Sequence, residues 1–371
     1  MRVFLLGASG AAGRRTAAEL LRQPEVDELV LSGRDADAIA NLERSMGAGS
    51  DRVRSFSSDV RDERLVSHLR GADVVVSCAG PSYETEMPAV QAALAAGVSF
   101  VSLCDEHVPF EGVHGLQDRA RDAGITIVSG CGLSPGITNL LVAYATRELD
   151  SVDAVDISLA RSSTESTGLA SARHFLYELS VDAIALEDRQ RVTERAGTGP
   201  KLVYFPEPVG WVETFFCGHP EVVTLPRTHP SIEAIEFRIG LIERITMDTA
   251  RAFSATPAAA SDTARRAFVK LTRPLRPLID RLPPTGPPWT AARVDTHGLR
   301  NGTPATISLG VVDRLLNFAS IPLTLAALRL GDESTATTGV LPPEEAFDVP
   351  TFLRDLTQRG ISIARLEPRP V

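Results

Sequence analysis

The segment Val3-Phe4-Leu5-Leu6-Gly7-Ala8-Ser9-Gly10-Ala11-Ala12-Gly13 joins an apolar run to three glycines spaced GxxGxxG. The run predicts a buried strand, and residues 11–22 have the apolar spacing of a helix. Gly7 permits a tight strand-to-helix turn, Gly10 lets backbone amides approach a pyrophosphate, and Gly13 lets the helix pack closely on the sheet. The helix N-terminus adds free N–H groups and a partial positive charge. We therefore predict a dinucleotide-binding loop whose cofactor contacts are Gly7, Ser9, Gly10, Ala11, Ala12 and Gly13.

The first third of the chain alternates short apolar runs with helical segments. The predicted strands are 3–6, 28–31, 53–56, 73–77, 99–103 and 125–129. Repeated strand–helix–strand units imply parallel strands with helices on both faces. The unbroken apolar run Val74-Val75-Val76 suits a strand that is buried on both sides. The predicted fold class is therefore α/β, with a Rossmann-type parallel sheet.

The pattern changes after Gly130, where longer alternating segments separated by turn residues begin. Strands are predicted at 154–159, 203–205, 214–216, 234–239 and 306–312. We expect a second α+β domain built on a mostly antiparallel sheet. The predicted Rossmann domain is 1–131, with 332–371 returning to it. The predicted domain for substrate binding and dimerisation is 132–331.

The end of the second predicted strand is where such folds meet the adenosine ribose. Arg34 and the hydroxyl of Ser32 suit the 2′-phosphate of NADP(H), because a guanidinium group forms paired charge-assisted hydrogen bonds. Asp35 leaves an alternative open, in which it pairs with Arg34 or accepts from the ribose hydroxyls of NAD. Asp59 and Val60 follow the third strand and are predicted to wall the adenine, although Asp59 could equally cap a helix. NADP (NADPH) is the predicted cofactor, and NAD is the alternative.

The ends of the fourth and fifth predicted strands are expected to meet the nicotinamide, because ligands of open α/β sheets bind beyond the carboxyl ends of the strands. The predicted cofactor contacts here are Cys78, Ala79, Gly80, Pro81 and Asp105. A buried Asp105 with a raised pKa could transfer a proton, or Asp105 could cap the following turn. Tyr83 could donate a proton or simply pack. Asp105 and Tyr83 are the predicted catalytic residues.

Composition restricts the class of protein. The chain has 371 residues, of which 43% are hydrophobic and 23% charged, and its formal net charge is −9. This is typical of a globular protein with two domains, and an acidic chain has no general attraction for nucleic acid or anionic membranes. Four cysteines without a CxxC pair or a Cys/His cluster argue against a disulfide framework and a metal site. We expect a cytoplasmic homodimer with a small-molecule substrate and no transmembrane segment.

Several segments resemble the saccharopine dehydrogenase-like family. Residues 73–106 do so through Cys78-Ala79-Gly80-Pro81 and Asp105-Glu106, and residues 130–140 through Gly130-Cys131-Gly132 and Pro135-Gly136. The tail at 338–344 and 352–361 is also similar. Residues 150–330 match weakly, apart from His219-Pro220-Glu221.

The resemblance implies a bilobal enzyme that uses a nicotinamide cofactor, often NADP(H), and forms or reduces an imine at a C–N bond. Two alternatives stay open. One is a reductase of a carbonyl or C=C bond in a larger apolar, lipid-like or polyketide-like substrate, suggested by the basic, proline-rich segment 251–289. The other is a non-catalytic dinucleotide-binding protein. His174 and Arg161 lie in second-domain segments that could face the cleft, although each is more often a surface or core residue.

Overall fold

In a computed structural model of the protein, the residues described are 1–47, 51–165, 169–272, 274, 287–332 and 337–367. They form two compact units. The first comprises residues 1–139 and 316–359, and the second comprises residues 140–315 and 360–371.

The first unit is built on a parallel sheet, in agreement with the α/β prediction. Its strands are β1 (Arg2–Leu6), β2 (Glu28–Gly33), β3 (Val53–Ser57), β4 (Val74–Ser77), β5 (Ser99–Ser102), β6 (Thr126–Val128) and β15 (Gly339–Val340). Within the described residues the order is β15-β6-β5-β4-β1-β2-β3. The strand order reverses between β1 and β4, which is the position where doubly wound sheets bind their ligands.

Helices cover this sheet. They are α1 (Ala11–Leu21), α2 (Ala36–Gly47), α3 (Leu65–Leu69), α4 (Ser82–Ala96), α5 (His107–His114), α6 (Gln117–Asp122), α12 (Leu315–Gly331), α13 (Pro343–Ala346) and α14 (Val349–Gln358). Val74, Val75 and Val76 are completely buried, because the central strand β4 is covered on both faces. The uninterrupted apolar run in the sequence is therefore explained, as predicted, by burial on both faces of the strand.

The second unit contains a mixed sheet. Its strands are β7 (Ser151–Arg161), β8 (Ala183–Glu187), β9 (Gln190–Glu194), β10 (Lys201–Phe205), β11 (Gly210–Phe216), β12 (Ala234–Leu241), β13 (Thr290–Arg300), β14 (Thr303–Asp313) and β16 (Ile363–Arg365). The main path is β10-β11-β12-β7-β13-β14-β16, and β8 pairs with β12 and β9. Only β12 and β7 are parallel among the described pairs, so the prediction of a mostly antiparallel sheet is confirmed.

Helices pack beside this sheet. They are α7 (Ile137–Thr146), which continues from the first unit, α8 (Leu169–Glu178), α9 (Glu221–Thr228), α10 (Arg244–Ser254), a 3-10 turn (Pro257–Ala260) and α11 (Asp262–Thr272). The predicted strands of this unit are all present, but β8, β9, β16 and the central strand β13 are additional. In β13 the buried positions include Ala291, Ala292 and Thr296, which are small or polar residues and carry a weak strand signal.

The compact units differ from the predicted domain bounds in the C-terminal part of the chain. The prediction places residues 316–331 in the second domain, whereas they cluster with the first unit. Apolar side chains of α12 are buried on several sides of the helix, so its sequence pattern does not show which sheet it covers. Residues beyond 359 were predicted to join the first domain, but Ile363 pairs with Val311 in the second sheet. Such a short backbone pairing leaves little trace in the sequence.

The basic segment 251–289 is only partly described, since residues 273 and 275–286 lie outside the described ranges. Its described arginines bond within the second unit. Arg251 donates to Gly197 O at 2.7 Å, and Arg265 donates to Ala259 O at 2.7 Å. These cations stabilise local structure. Among the described residues, no helix has both the length and the hydropathy that are needed to cross a bilayer.

Phe352 tests whether α14 is an integral part of the first unit. Its ring is completely buried, lies 5.0 Å from the ring of Phe347 and carries the Arg329 guanidinium 4.6 Å from its centre. Phe352→Ala should lower the free energy of unfolding by about 3–5 kcal/mol, because it leaves a cavity. Urea unfolding followed by circular dichroism measures the change. The exposed Arg354→Ala on the same helix is the control, and equal effects of the two substitutions would contradict this packing.

Candidate dinucleotide-binding site

The glycine loop lies at the switch point of the parallel sheet. Gly7 follows β1 with φ +71°, and a Cβ there would lie 2.6 Å from Ala79 N in the turn after β4. A Cβ on Gly13 would lie 2.2 Å from Gly7 O. Both positions therefore exclude any side chain, as the spacing predicts. Gly10 is the N-cap of α1, and its N–H donates to Gly7 O at 3.1 Å.

The N-terminus of α1 suits an anion. No side chain caps it, and the first turn contains no acidic residue. Its leading amides and its partial positive charge are therefore not neutralised by the helix itself. Arg14 adds a cation, because its Nε donates to Ser9 O at 2.9 Å and holds the exposed side chain against the loop. Ser9, Ala11 and Ala12 lie in this loop and first turn, so they remain predicted cofactor contacts.

The end of β2 presents a cation. Arg34 is exposed, whereas Ser32 is completely buried and its Oγ has no hydrogen-bond partner among the described residues. The side chain of Asp35 is hydrogen-bonded at the start of α2, where its Oδ1 accepts from Ala38 N at 2.9 Å. The structure thus favours the reading in which Arg34, and not Asp35, meets the ribose end of a dinucleotide. Because Ser32 is completely buried, its predicted contact with a 2′-phosphate gains no support from its position and stays a prediction.

Asp59 is held by its neighbour. Arg61 donates through Nε and Nη2 to the two carboxylate oxygens at 2.9 and 3.0 Å, and Arg61 N also donates to Oδ1. This pairing, assisted by the charge of Arg34, lowers the pKa of Asp59 to about 2. Asp59 is therefore ionised at neutral pH beside two cations. Its contact with adenine, like that of the half-buried Val60, stays a prediction.

The turn after β4 contains the residues predicted to meet the nicotinamide. Cys78 N donates to Leu6 O at 2.9 Å, which continues the pairing of β4 with β1. Pro81 follows a cis peptide bond and caps α4. Thr85 Oγ1 bonds to Ala79 O and Pro81 O, both at 3.0 Å. These bonds hold the turn against α4 at the carboxyl edge of the sheet, and Gly80 lies within it.

The two predicted catalytic residues follow adjacent strands. Tyr83 lies in the first turn of α4, after β4, and Asp105 follows β5. Both are half-buried. The N-cap of α5 is Glu106, so Asp105 does not occupy the cap position that we had left open as its alternative role. Their catalytic roles stay predictions.

Glu86 forms a buried network that the sequence analysis did not single out. It lies on α4 with 2% of its surface exposed, and its Oε1 accepts from Ser102 Oγ and Ser129 Oγ, both at 2.6 Å. These serines lie at the ends of β5 and β6. Ser102 Oγ in turn accepts from Cys104 N at 3.3 Å, next to Asp105. Glu86 therefore fixes the strand end that carries Asp105.

Burial sets the protonation of this region. It raises the pKa of Glu86 to about 7, and the two hydroxyl donors oppose this shift while the negative charges of Glu106 and Asp105 add to it. Burial also raises the pKa of Cys78 and of Cys131 to about 12, and that of Cys104 well above its usual range. These thiols are protonated at neutral pH and are not nucleophiles, so they act as small, mostly apolar side chains.

The segment after β6 turns tightly. Gly130 has φ +75°, and a Cβ there would lie 2.3 Å from Pro135 Cγ. Asn139 Oδ1 accepts from Gly136 N, and its Nδ2 donates to Glu344 Oε1, both at 3.2 Å. Asn139 therefore joins this turn to α13 within the first unit.

Comparison with known proteins identifies the domain. Residues 3–128 match the family model described as the saccharopine dehydrogenase NADP binding domain. This match covers the domain that carries the glycine loop, which is therefore similar to the NADP-binding domain of saccharopine dehydrogenases. The predicted resemblance is confirmed, and the family description identifies NADP as the cofactor of this domain.

Two relatives in this comparison differ in the reaction that their names state. A carboxyaminopropylagmatine dehydrogenase of Synechocystis is 25% identical over 201 residues, which cover 51% of this chain and 48% of the relative. A Mycobacterium tuberculosis protein named as a trans-acting enoyl reductase is 28% identical over 142 residues, covering 38% of this chain and 34% of that protein. The chain thus spans about half the length of the first of these relatives.

A solved structure supports the fold. The saccharopine dehydrogenase (L-Glu forming) of Saccharomyces cerevisiae aligns with a TM-score of 0.70 and 15% identity. The alignment covers 99% of this chain and 100% of that one. At 15% identity the likeness shows a similar fold and nothing more.

The sequence analysis missed two residues of this candidate site, although each has a sequence signal. Arg14 directly follows the third glycine of the loop, where a cation would reach a bound phosphate. Glu86 precedes Ala89 and Ala93 by three and seven residues, so it occupies the apolar face of α4. An acidic residue on an apolar helix face predicts a buried, hydrogen-bonded carboxyl group.

Glu86 should make stability depend on pH. The folded protein retains the Glu86 proton up to about pH 7, whereas the unfolded chain loses it near 4.5, so the free energy of unfolding falls as pH rises between these values. The loss is about 3 kcal/mol. The glutamine of a Glu86→Gln variant cannot ionise. The free energy of unfolding of this variant, relative to that of the native protein, should therefore increase as pH rises from 4.5 to about 7. Urea unfolding at several pH values measures this, with Glu84→Gln as control, and a difference that does not vary with pH would contradict it.

Proposed function

We propose that this protein is an NADP(H)-dependent oxidoreductase that transfers hydride at a C–N bond, in imine reduction or amine oxidation. The observation that supports the proposal most is the uncapped N-terminus of α1 behind Gly7 and Gly13, at the switch point of a domain of the NADP-binding family. This arrangement suits a pyrophosphate.

Each end of the site has a distinct task. The amides of Gly10, Ala11 and Ala12 would bind the pyrophosphate, and Arg14 would add charge. Arg34 would bind the 2′-phosphate through paired charge-assisted hydrogen bonds. The turn 78–81 would support the nicotinamide, and NADP(H), when bound, supplies the chemistry of hydride exchange.

Proton transfer would fall to residues at the carboxyl ends of β4 and β5. We propose Asp105 for this role, with Tyr83 as a second donor. Glu86 would position Asp105 through Ser102 and, with a pKa of about 7, would hold a proton beside it at neutral pH. A half-buried carboxyl group in such an acidic cluster is a suitable proton carrier.

The relative named a carboxyaminopropylagmatine dehydrogenase supports C–N chemistry. A second candidate is the reduction of a C=C or carbonyl bond in a larger apolar substrate, which the relative named as an enoyl reductase favours. Two assays separate them. We expect NADP⁺ reduction with saccharopine or carboxyaminopropylagmatine, and no NADPH oxidation with enoyl thioesters. The reverse result would select the second candidate, and tight NADPH binding without turnover would indicate a non-catalytic protein.

We further propose a cytoplasmic homodimer that acts on a small molecule. All four cysteines are thiols and not disulfides, as is usual in a reducing compartment. Sedimentation of the purified chain tests the dimer.

Arg34 should determine cofactor choice. Because only NADP(H) carries the 2′-phosphate, Arg34→Ala should weaken NADPH binding by about 5- to 150-fold, the range that corresponds to a lost hydrogen bond to a charged group. NADH binding should change little. Titration calorimetry with both cofactors measures the two dissociation constants.

Arg54→Ala is the matched control. Arg54 is exposed on β3 and pairs with Glu28, towards the amino end of the strand and therefore at the opposite edge of the sheet. It should leave both dissociation constants unchanged. Native protein that binds NADH at least as tightly as NADPH, or an Arg34→Ala variant that weakens both equally, would contradict the assignment.

A further inference from the structure

A second arginine lies near Arg34 at the carboxyl edge of the parallel sheet. Arg61 follows the end of β3 by four residues, and β3 pairs with β2 so that Ser57 lies opposite Gly33. The pairing continues past both strands, because Ser58 N donates to Gly33 O at 3.1 Å and Ser57 Oγ donates to Arg34 O at 3.4 Å. The loop that carries Arg61 therefore begins beside the residue that we expect to meet the ribose.

Asp59 holds the guanidinium group of Arg61 by one edge. Nε and Nη2 of Arg61 donate to the two carboxylate oxygens at 2.9 and 3.0 Å, and its backbone N donates to Oδ1 at 2.9 Å. Such a paired contact fixes the plane of the guanidinium group. Among the described residues, nothing accepts a hydrogen bond from Nη1 of Arg61, which has two further N–H donors. With 55% of the side chain exposed, this second edge is open to a ligand.

Arg34 and Arg61 act on the same carboxylate. The hydrogen bonds from Arg61 lower the pKa of Asp59 to about 2, and the charge of Arg34 adds to this effect. The hydrogen bonds to Asp59, together with the charge of Glu84 on α4, raise the pKa of Arg61. At neutral pH Arg61 is therefore a cation that acidic side chains attract towards the end of β3 and the start of α4. Arg34 and Arg61 are thus two cations that share one neighbouring carboxylate.

A phosphate group on the ribose can use more than one cation. A phosphate monoester has a charge of about −1.5 to −2 at pH 7 and three strong acceptor oxygens. One guanidinium group supplies a single positive charge and pairs with two oxygens at most. Ser32, the other predicted contact, is completely buried and carries no charge. Arg34 alone therefore leaves part of the charge and one oxygen of such a phosphate unpaired.

We propose that Arg61 is a second specificity-determining residue for NADP(H), which binds the 2′-phosphate through its open edge while Arg34 binds the same group from the end of β2. The inference rests on the proposed function, because it assumes that the ribose lies at the end of β2, and it adds a residue to that site. The recognised group is an adenosine 2′-phosphate. This end of the site should therefore bind 2′-AMP, which has neither a pyrophosphate nor a nicotinamide.

Arg64 provides a control with the same local structure. It pairs with the carboxylate two residues before it, as Arg61 does: Nε and Nη2 of Arg64 donate to Oδ1 and Oδ2 of Asp62 at 3.1 and 2.7 Å, and its backbone N donates to Oδ1 at 2.9 Å. The charges that act most on Asp62 are those of Arg64 and His68, and not that of Arg34. Arg64 is therefore an exposed, paired arginine of the same loop that should not meet the phosphate.

Titration calorimetry with 2′-AMP, NADPH and NADH tests the inference on the full chain. Arg61→Ala should weaken the binding of 2′-AMP and of NADPH by about 5- to 30-fold, because one of the two cations at the phosphate is lost. NADH binding should change by less than about 2-fold, since NADH has no 2′-phosphate. Arg61→Lys should recover only part of the affinity, because an ammonium group keeps the charge but not the planar fork. Arg64→Ala should leave all three dissociation constants unchanged.

Three results would overturn the inference. One is an Arg61→Ala variant that binds 2′-AMP and NADPH as tightly as the native protein does. Another is an equal weakening of NADPH and NADH, which would place Arg61 against a part that both cofactors share. The third is an Arg64→Ala variant with the same loss as Arg61→Ala, which would indicate a general effect of surface charge. The titrations need no turnover, so a protein that binds NADPH through Arg61 but converts no substrate would contradict the proposed reaction alone.

Discussion

The first unit depends on a backbone contact that leaves no room for a side chain. At the switch point of the parallel sheet, Gly7 approaches the turn after β4 so closely that a Cβ would lie 2.6 Å from Ala79 N, and Gly13 approaches Gly7 in the same way. This contact brings the N-terminus of α1 to the edge where β1 and β4 end. The N-terminus of α1, Arg34 after β2 and the turn 78–81 are brought to the same edge of the sheet, because each is attached to a strand end that meets there.

The protein buries acidic groups by two different means. In the first unit Glu86 is compensated by two serine hydroxyls, and its proton is retained up to about pH 7. In the second unit Glu178 and Glu221 are compensated by His174 and His219. Burial raises the pKa of Glu86 and the two hydroxyl donors oppose that shift only in part, so the carboxyl group keeps its proton well above its usual range. An imidazole differs from a hydroxyl because it can carry a positive charge beside a buried carboxylate.

The parallel sheet was predictable because each strand carries a strong local signal. The central run Val74-Val75-Val76 is apolar throughout, and the glycine loop has a spacing that few other structures require. The central strand β13 was missed, since its buried positions include small and polar residues and Gly298 interrupts it with a bulge. Among the site residues, the sequence placed Arg34 at the end of β2. Only the structure shows that Asp35 accepts a hydrogen bond from Ala38 N at the start of α2.

Local chemistry, encoded in short stretches, was sufficient to predict the α/β class, the glycine loop, the resemblance to saccharopine dehydrogenases and the preference for NADP. Each of these depends on residue types and spacings within single segments, so the sequence reveals them. The Glu86 network joins residues that are 16 to 43 positions apart, and the buried Glu178 and His219 are 41 positions apart. Their carboxylates matter because burial removes water from them, and burial is a property of the packed chain. No pattern within a single segment shows which hydroxyl or imidazole will replace that water.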